Sequence, residues 1–172
     1  MKPMCAFKWQ DHKHRLTLPF FVQPKLNGVR ALYHLGRMQS RGLSNEEGKL
    51  WHGSVVSHIT SELDRIVPHG WLLDGEMYLH GLSLQQINSA IAVKRIAPSP
   101  KTPSIQYHVF DIIDTHSLHL PFMERARLLE TLREKLVIHQ AHSIAVVPTT
   151  LIDREGLDNT LYATLRSQGY EG

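Results

Sequence analysis

A single cysteine, Cys5, stands in 172 residues, so the chain can neither close an internal disulfide nor build a metal site on thiolates. That scarcity makes a reducing, cytoplasmic setting the default expectation. No apolar run approaches the roughly 20 residues that a membrane-spanning helix needs. The N-terminal Met1-Lys2-Pro3-Met4-Cys5-Ala6-Phe7-Lys8 also lacks the apolar core of a signal peptide. Blocks of one charge are missing, the densest cluster being Lys13-His14-Arg15. A formal charge of +3 with a pI near 9.1 therefore permits a polyanionic partner without requiring one. Repeats, low-complexity tracts and flexible linkers are absent from the sequence as well.

What is present suits a soluble globular domain: 42% of the residues are hydrophobic and 20% charged, in a chain long enough to bury a core. Twelve histidines raise the question of a metal. The close pairs His12 and His14, His116 and His119, and His139 and His142 have no obvious third ligand and no Cys/His spacing of a tetrahedral site, so they read as scattered surface or half-buried side chains.

Periodicity sets out the elements. Residues 1–17 form a polar, irregular stretch packed through Phe7 and Trp9, and strands are expected near 18–24, 29–36 and 38–42, with a turn at Gly36-Arg37. A polar loop at 44–49 precedes a helix over 55–67, in which Ile59, Leu63, Ile66 and Val67 recur at helical spacing before Pro68 and Gly70 stop it. Strands follow at 71–79 and 104–113, and Ser83 with Gln86 forms a capping box for a helix running to about Ile96. Pro98, Pro100 and Pro103 make a stiff connector. Phe122, Ala126, Leu129, Leu132 and Leu136 line a helix that begins at Pro121. A strand at 143–147 and a last helix over 155–167, striped by Leu157, Leu161 and Leu165 and capped at Gly169, complete the chain. Asn27-Gly28 between two apolar runs predicts a β-hairpin, so antiparallel pairing and an α+β fold, antiparallel sheets flanked by helices, are expected rather than a doubly wound sheet.

Chemistry is written at a few points. Asp74 and Glu76, two apart in an otherwise apolar strand, must share one side of the pleat, which suits a polar cavity, a cation or pairing with arginines. Lys25 and Arg30 flank the Asn27-Gly28 turn. Cation beside cation favours the neutral, nucleophilic form of an amine.

The segments Lys25-Leu26-Asn27-Gly28-Val29-Arg30, Ser40-Arg41, Leu73-Asp74-Gly75-Glu76, Tyr107-His108-Val109-Phe110-Asp111 and Glu171-Gly172 occur in an order and at intervals that resemble the covalent nucleotidyltransferases, the superfamily of ATP-dependent DNA ligases, RNA ligases and mRNA capping enzymes. Leu120-Pro121-Phe122-Met123-Glu124-Arg125, just after the Phe-Asp strand, narrows the resemblance to ATP-dependent DNA ligases. It spans roughly residues 18–172.

The resemblance implies that 1–172 is an adenylation (nucleotidyltransferase) domain in which Lys25 attacks the α-phosphate of ATP. A lysyl-AMP adduct and pyrophosphate result, and AMP then passes to the 5′-phosphate of a nick in duplex DNA, which the 3′-hydroxyl seals. Gln23, Arg30, Arg41, Glu76, Phe110 and Glu171 match positions around the nucleotide. Arg41 and Glu76 match those by the ribose and phosphate, and Phe110 the one that stacks on the base. Glu171 matches a residue that helps hold Mg²⁺. A monomeric, cytoplasmic enzyme of DNA repair, replication and recombination is implied, in the host cytoplasm if phage-encoded. The family's pattern has Asp where this chain has Asn27, and beyond Glu171-Gly172 it continues into a Lys-x-Lys strand and an OB-fold. From this the 172-residue chain alone is expected to bind nucleotide weakly and to adenylate itself slowly or not at all. RNA ligation, GTP-dependent capping and a non-catalytic nucleotide-binding role are the alternative readings.

Overall fold

The computed structural model describes residues 15–42, 48–155 and 157–171, so the expected packing of Phe7 and Trp9 and most of the 44–49 loop lie outside the described residues. The chain divides into two compact units, Asn27–Val147 and a second made of Met1–Leu26 with Pro148–Gly172.

In the first of these, strands β2 (Val29–His34), β3 (Arg37–Ser40), β4 (Trp71–Tyr78), β5 (Gln106–Asp114) and β6 (Ile144–Val146) form one sheet in the order β3-β2-β4-β5-β6. All neighbours are antiparallel except the final pair, in which β6 runs parallel to β5. Alternation along the strands gives the sheet two unlike faces. Ala31, Tyr33, Leu73, Met77, Tyr107 and Val109 are buried on one face, with Arg30, Asp74, Glu76 and His108 at register positions on the other. Helices α1 (Gly53–Ile66), α2 (Leu84–Ile91) and α3 (Phe122–Ile138) belong to this unit, with α3 against β5 and β6 and α2 against β2.

The stripe expected on α1 is buried as read: Ile59 and Leu63 are fully inaccessible and Ile66 and Val67 nearly so. Burying each such side chain contributes about 1.5–3 kcal/mol. The capping box at Ser83 and Gln86 is present, but α2 ends at Ile91 rather than near Ile96. Side chains take over its last carbonyls: Trp51 Nε1 donates to Ile91 O (2.5 Å), Thr102 Oγ1 to Ala90 O (2.6 Å) and Arg95 to Ser89 O (3.1 Å). With the orphan acceptors satisfied in this way, no further helical turn is needed.

Gly75 leaves room over the buried face of the central strand. A Cβ there would stand 2.6 Å from both the Tyr107 ring and the His108 carbonyl. Through the space it leaves, the fully buried Tyr107 points its hydroxyl at the carbonyls of Ala31 (3.0 Å) and Leu73 (3.1 Å), tying β5 to β2 across β4. Burial raises the Tyr107 pKa well above its ordinary value, so the hydroxyl keeps its proton and donates.

The expected hairpin at Asn27-Gly28 does not form. Strand β1 (Phe20–Val22) pairs antiparallel with β7 (Thr150–Ile152), a short strand that periodicity missed, and β2 pairs with β3 and β4. Gly28 lies outside the left-handed region, and the hairpin turn is Leu35-Gly36, with φ of 47° and 74° between the paired His34 and Arg37. Positive φ at both central residues is the signature of a type I′ turn. The β1–β7 pair and helix α4 (Leu157–Ser167) belong to the unit Met1–Leu26 with Pro148–Gly172. Of the expected α4 stripe, Leu165 is buried and Leu161 half-buried, and the side chain of Leu157 lies outside the described residues.

Candidate functional site

In the unit that contains Lys25, the groups are set by the end of α4. Gly169 N–H donates to Arg166 O (3.1 Å) and Tyr170 N–H to Leu165 O (3.1 Å), the paired bonds of a Schellman turn, with Gly169 at φ 88° as the sequence suggested. Arg166 then donates from Nη1 to the carbonyls of Tyr170 (3.1 Å) and Glu171 (2.7 Å). Glu171 N–H in turn donates to Lys25 O (3.2 Å), and Lys25 Nζ donates to Glu171 Oε2. Both side chains of that ion pair remain about half exposed, at 55% and 43%. Two residues earlier, Gln23 Nε2 donates to Thr149 Oγ1 (3.0 Å), carrying the β1–β7 pairing one step further.

Within Asn27–Val147, Arg30 forms a two-pronged bond with Asp74, Nε to Oδ1 at 2.9 Å and Nη2 to Oδ2 at 2.6 Å. The guanidinium also lies 5.1 Å from the centre of the Phe110 ring. Burial raises the pKa of Asp74, against the pull of Arg30, while the charge of Asp111 adds to the rise and that of Arg41 opposes it. Each of the two cations that flank Asn27-Gly28 has a carboxylate partner within its own unit: Lys25 faces Glu171, and Arg30 faces Asp74.

Asp74 and Glu76 share a face, as their spacing required. Glu76 accepts from the Gly28 N–H (3.2 Å). A Cβ on Gly28 would stand 2.3 Å from the Met77 carbonyl oxygen and 2.8 Å from Glu76 Cγ, so close approach to β4 is what demands glycine there. His108, opposite Glu76 in register, meets the edge of Tyr78 at 5.3 Å, and burial lowers its pKa to about 4, leaving it neutral near pH 7. Further along this face Leu32, His34, Arg37, Gln39 and Leu72 line a hollow of about 380 Å³.

The register of β4 with β5 sets Asp74 against Asp111 but Gly75 against Val109, so Phe110 is the extra residue of a β-bulge. The bulge resets the alternation, with Tyr107 and Val109 buried before it and Ile112 after it. Arg125 fastens Asp111, Nε to Oδ1 at 2.7 Å and Nη2 to Oδ2 at 3.0 Å. Sequence reasoning missed the bulge and the roles of Arg125 and Arg166. The parity change in the apolar pattern from Val109 to Ile112 carried the signal for the bulge.

Among the described residues no group of three His, Cys, Asp or Glu side chains could cage a metal ion. A single exposed carboxylate such as Glu171 fits the other mode of binding, in which Mg²⁺ keeps its waters and is shared with substrate phosphates. Among the same residues no helix is long and apolar enough to cross a membrane.

A mixed, mainly antiparallel sheet flanked by helices is the fold of the nucleotidyltransferase domains of DNA ligases. Solved structures share it: one named Pmar-Lig_Pre (19% identity, TM-score 0.75, covering 98% of this chain and 40% of that one), Chlorella virus DNA ligase-adenylate (20%, 0.61, 100% and 59%) and the ATP-dependent DNA ligase of bacteriophage T7 in complex with ATP (13%, 0.62, 90% and 55%). Over residues 3–172 the chain matches the family described as ATP dependent DNA ligase domain, and it belongs to that family. It spans between 40 and 59% of the length of those three structures. No curated protein sequence matches it.

Proposed function

We propose that residues 1–172 form the adenylation domain of an ATP-dependent DNA ligase, with Lys25 as the nucleophile. The observation that carries this reading is the contact of Lys25 with Glu171, first and last of the family-like motifs, through both main chain and side chain. Lys25 Nζ attacks the α-phosphorus of ATP. A nitrogen–phosphorus bond forms, the bond from the α-phosphorus to the bridging oxygen breaks, and pyrophosphate leaves with that electron pair. The attacking amine must shed protons to do this, and the Glu171 carboxylate is the acceptor in contact with it.

Glu76 and Arg41 serve the ribose and phosphate, Arg30 and Phe110 the remainder of the nucleotide, and Gln23 the approach to Lys25. Glu171 is also the residue that would hold Mg²⁺, which when bound neutralises phosphate charge and favours departure of pyrophosphate. AMP then passes to the 5′-phosphate of nicked duplex DNA for sealing by the 3′-hydroxyl. A monomer working in DNA repair, replication or recombination in the cytoplasm fits this chemistry. The testing experiment is labelling with ATP radioactive at the α-phosphate in the presence of Mg²⁺. A covalent adduct that survives a denaturing gel and alkali, is cleaved by acid as a phosphoramidate is, and disappears in Lys25→Ala supports the reading, and the same adduct in Lys25→Ala refutes it. Competition with GTP separates this reading from capping chemistry.

A further inference from the structure

We propose that Arg125 is a positioning residue for Phe110, acting through Asp111 and the bulge in β5. The inference rests on the reading of Phe110 as the side chain that stacks on the nucleotide base. Phe110 is the inserted residue between the Gly75–Val109 and Asp74–Asp111 pairs, so its direction depends on what holds the bulge. Ladder pairing is interrupted there, and the anchoring comes instead from the next residue. Asp111 Oδ1 accepts the Ile112 N–H (2.9 Å), and both carboxylate oxygens are claimed by the fork of Arg125. Arg125 is itself tied to the start of α3, donating from Nη1 to Leu120 O (2.7 Å) and lying 5.4 Å from the Phe122 ring centre. Both members of the pair are only about one-fifth exposed, at 22% and 21%, which limits solvent screening.

A second arginine completes the arrangement. Asp74 and Asp111 are directly paired across β4 and β5, and each has its own guanidinium, Arg30 on Asp74 and Arg125 on Asp111. Arg30 lies against Phe110 while bound to Asp74. Without Arg125, the Asp111 carboxylate loses its partner, competes with Asp74 for Arg30 and draws that guanidinium off the Phe110 ring. Arg125 never touches nucleotide in this account. It fixes the aromatic surface on which the base rests.

The test is the ATP dependence of Lys25 adenylation in the full-length protein with Mg²⁺, for wild type, Phe110→Ala, Arg125→Ala, Arg125→Lys and Phe110→Ala/Arg125→Ala, with circular dichroism to verify folding. Arg125→Ala should raise the half-saturating ATP concentration about tenfold, the size of one lost base–aromatic stack, with the saturated rate little changed. Arg125→Lys keeps the charge but loses the fork, so it should fold normally and still show a raised half-saturating concentration. The double variant should be no worse than Phe110→Ala alone, because Arg125 acts only through that ring. Multiplying effects in the double variant, or unchanged ATP dependence in a folded Arg125→Lys while Phe110→Ala impairs it, would overturn the proposal. If Phe110→Ala itself leaves ATP dependence unchanged, the base-stacking reading falls and the positioning role falls with it.

Discussion

Lys25 and Glu171 stand 146 positions apart in the chain and meet twice, once between backbone N–H and carbonyl and once between ammonium and carboxylate. The backbone bond sets where the glutamate begins, and the Schellman turn at Gly169 sets the direction from which it arrives. Glu171→Gln keeps the shape but removes the charge that faces the lysine. On the account above it should lower the rate of adenylate formation by about 10²- to 10³-fold, the usual cost of losing one group aimed at the reacting atoms. Single-turnover labelling checks this, and a rate within a few-fold of wild type would remove Glu171 from the chemistry.

Arg166 supports that glutamate from behind, through bonds to the carbonyls of Tyr170 and Glu171. Arg166→Ala should cost only about 1 kcal/mol of stability, since the residue is exposed and its bonds are partly replaced by water. The loss should fall more heavily on the adenylation rate than on the melting temperature. Arg166→Lys, which cannot span both carbonyls with one planar group, should restore the function only in part.

Gly28→Ala tests whether glycine is there for close approach. Its Cβ would collide with the Met77 carbonyl and the Glu76 side chain, so β2 and β4 must separate locally. The expected destabilisation is about 1–3 kcal/mol, read as a fall in the denaturant midpoint at unchanged slope. An unchanged midpoint would show that this approach is looser than the geometry requires.

His108 gives a pH dependence with a definite sign. Its folded pKa, lowered to about 4 by burial, lies below the ordinary value of 6.5, so between those values the unfolded chain binds a proton that the folded one does not. Stability therefore falls as pH drops from 6.5 towards 4 and gains no further loss from this group below that, a total of about 3 kcal/mol. Asp74, whose pKa is raised, acts in the opposite direction under acid, so the contribution of His108 is isolated by comparing wild type with His108→Gln. Urea unfolding across that range should show the variant losing less stability than wild type, and parallel curves would contradict the assignment.

Much of this was legible from residue spacing. The stripe on α1, the capping box at Ser83 and the shared face of Asp74 and Glu76 each follow from a local period, and each is found. What escaped depended on distant partners. β7 spans three residues and is a strand only because Phe20 to Val22 lie beside it, so no periodicity could develop within it. Asn27-Gly28 has the chemistry of a hairpin turn, but Gly28 is used instead to let β2 pass close to Met77 and Glu76. The pairs Arg30 with Asp74 and Arg125 with Asp111 involve residues 44 and 14 positions apart, and nothing in local sequence assigns each arginine its carboxylate.

Every step of the proposed reaction passes through covalent attachment of AMP to Lys25. The most direct measurement is mass spectrometry of the full-length protein after incubation with ATP and Mg²⁺, followed by peptide mapping. One added AMP is expected on the peptide containing Lys25, released by pyrophosphate and absent from Lys25→Ala. An AMP adduct mapped to any other residue, or none at all under conditions in which the protein seals nicked DNA, would contradict it.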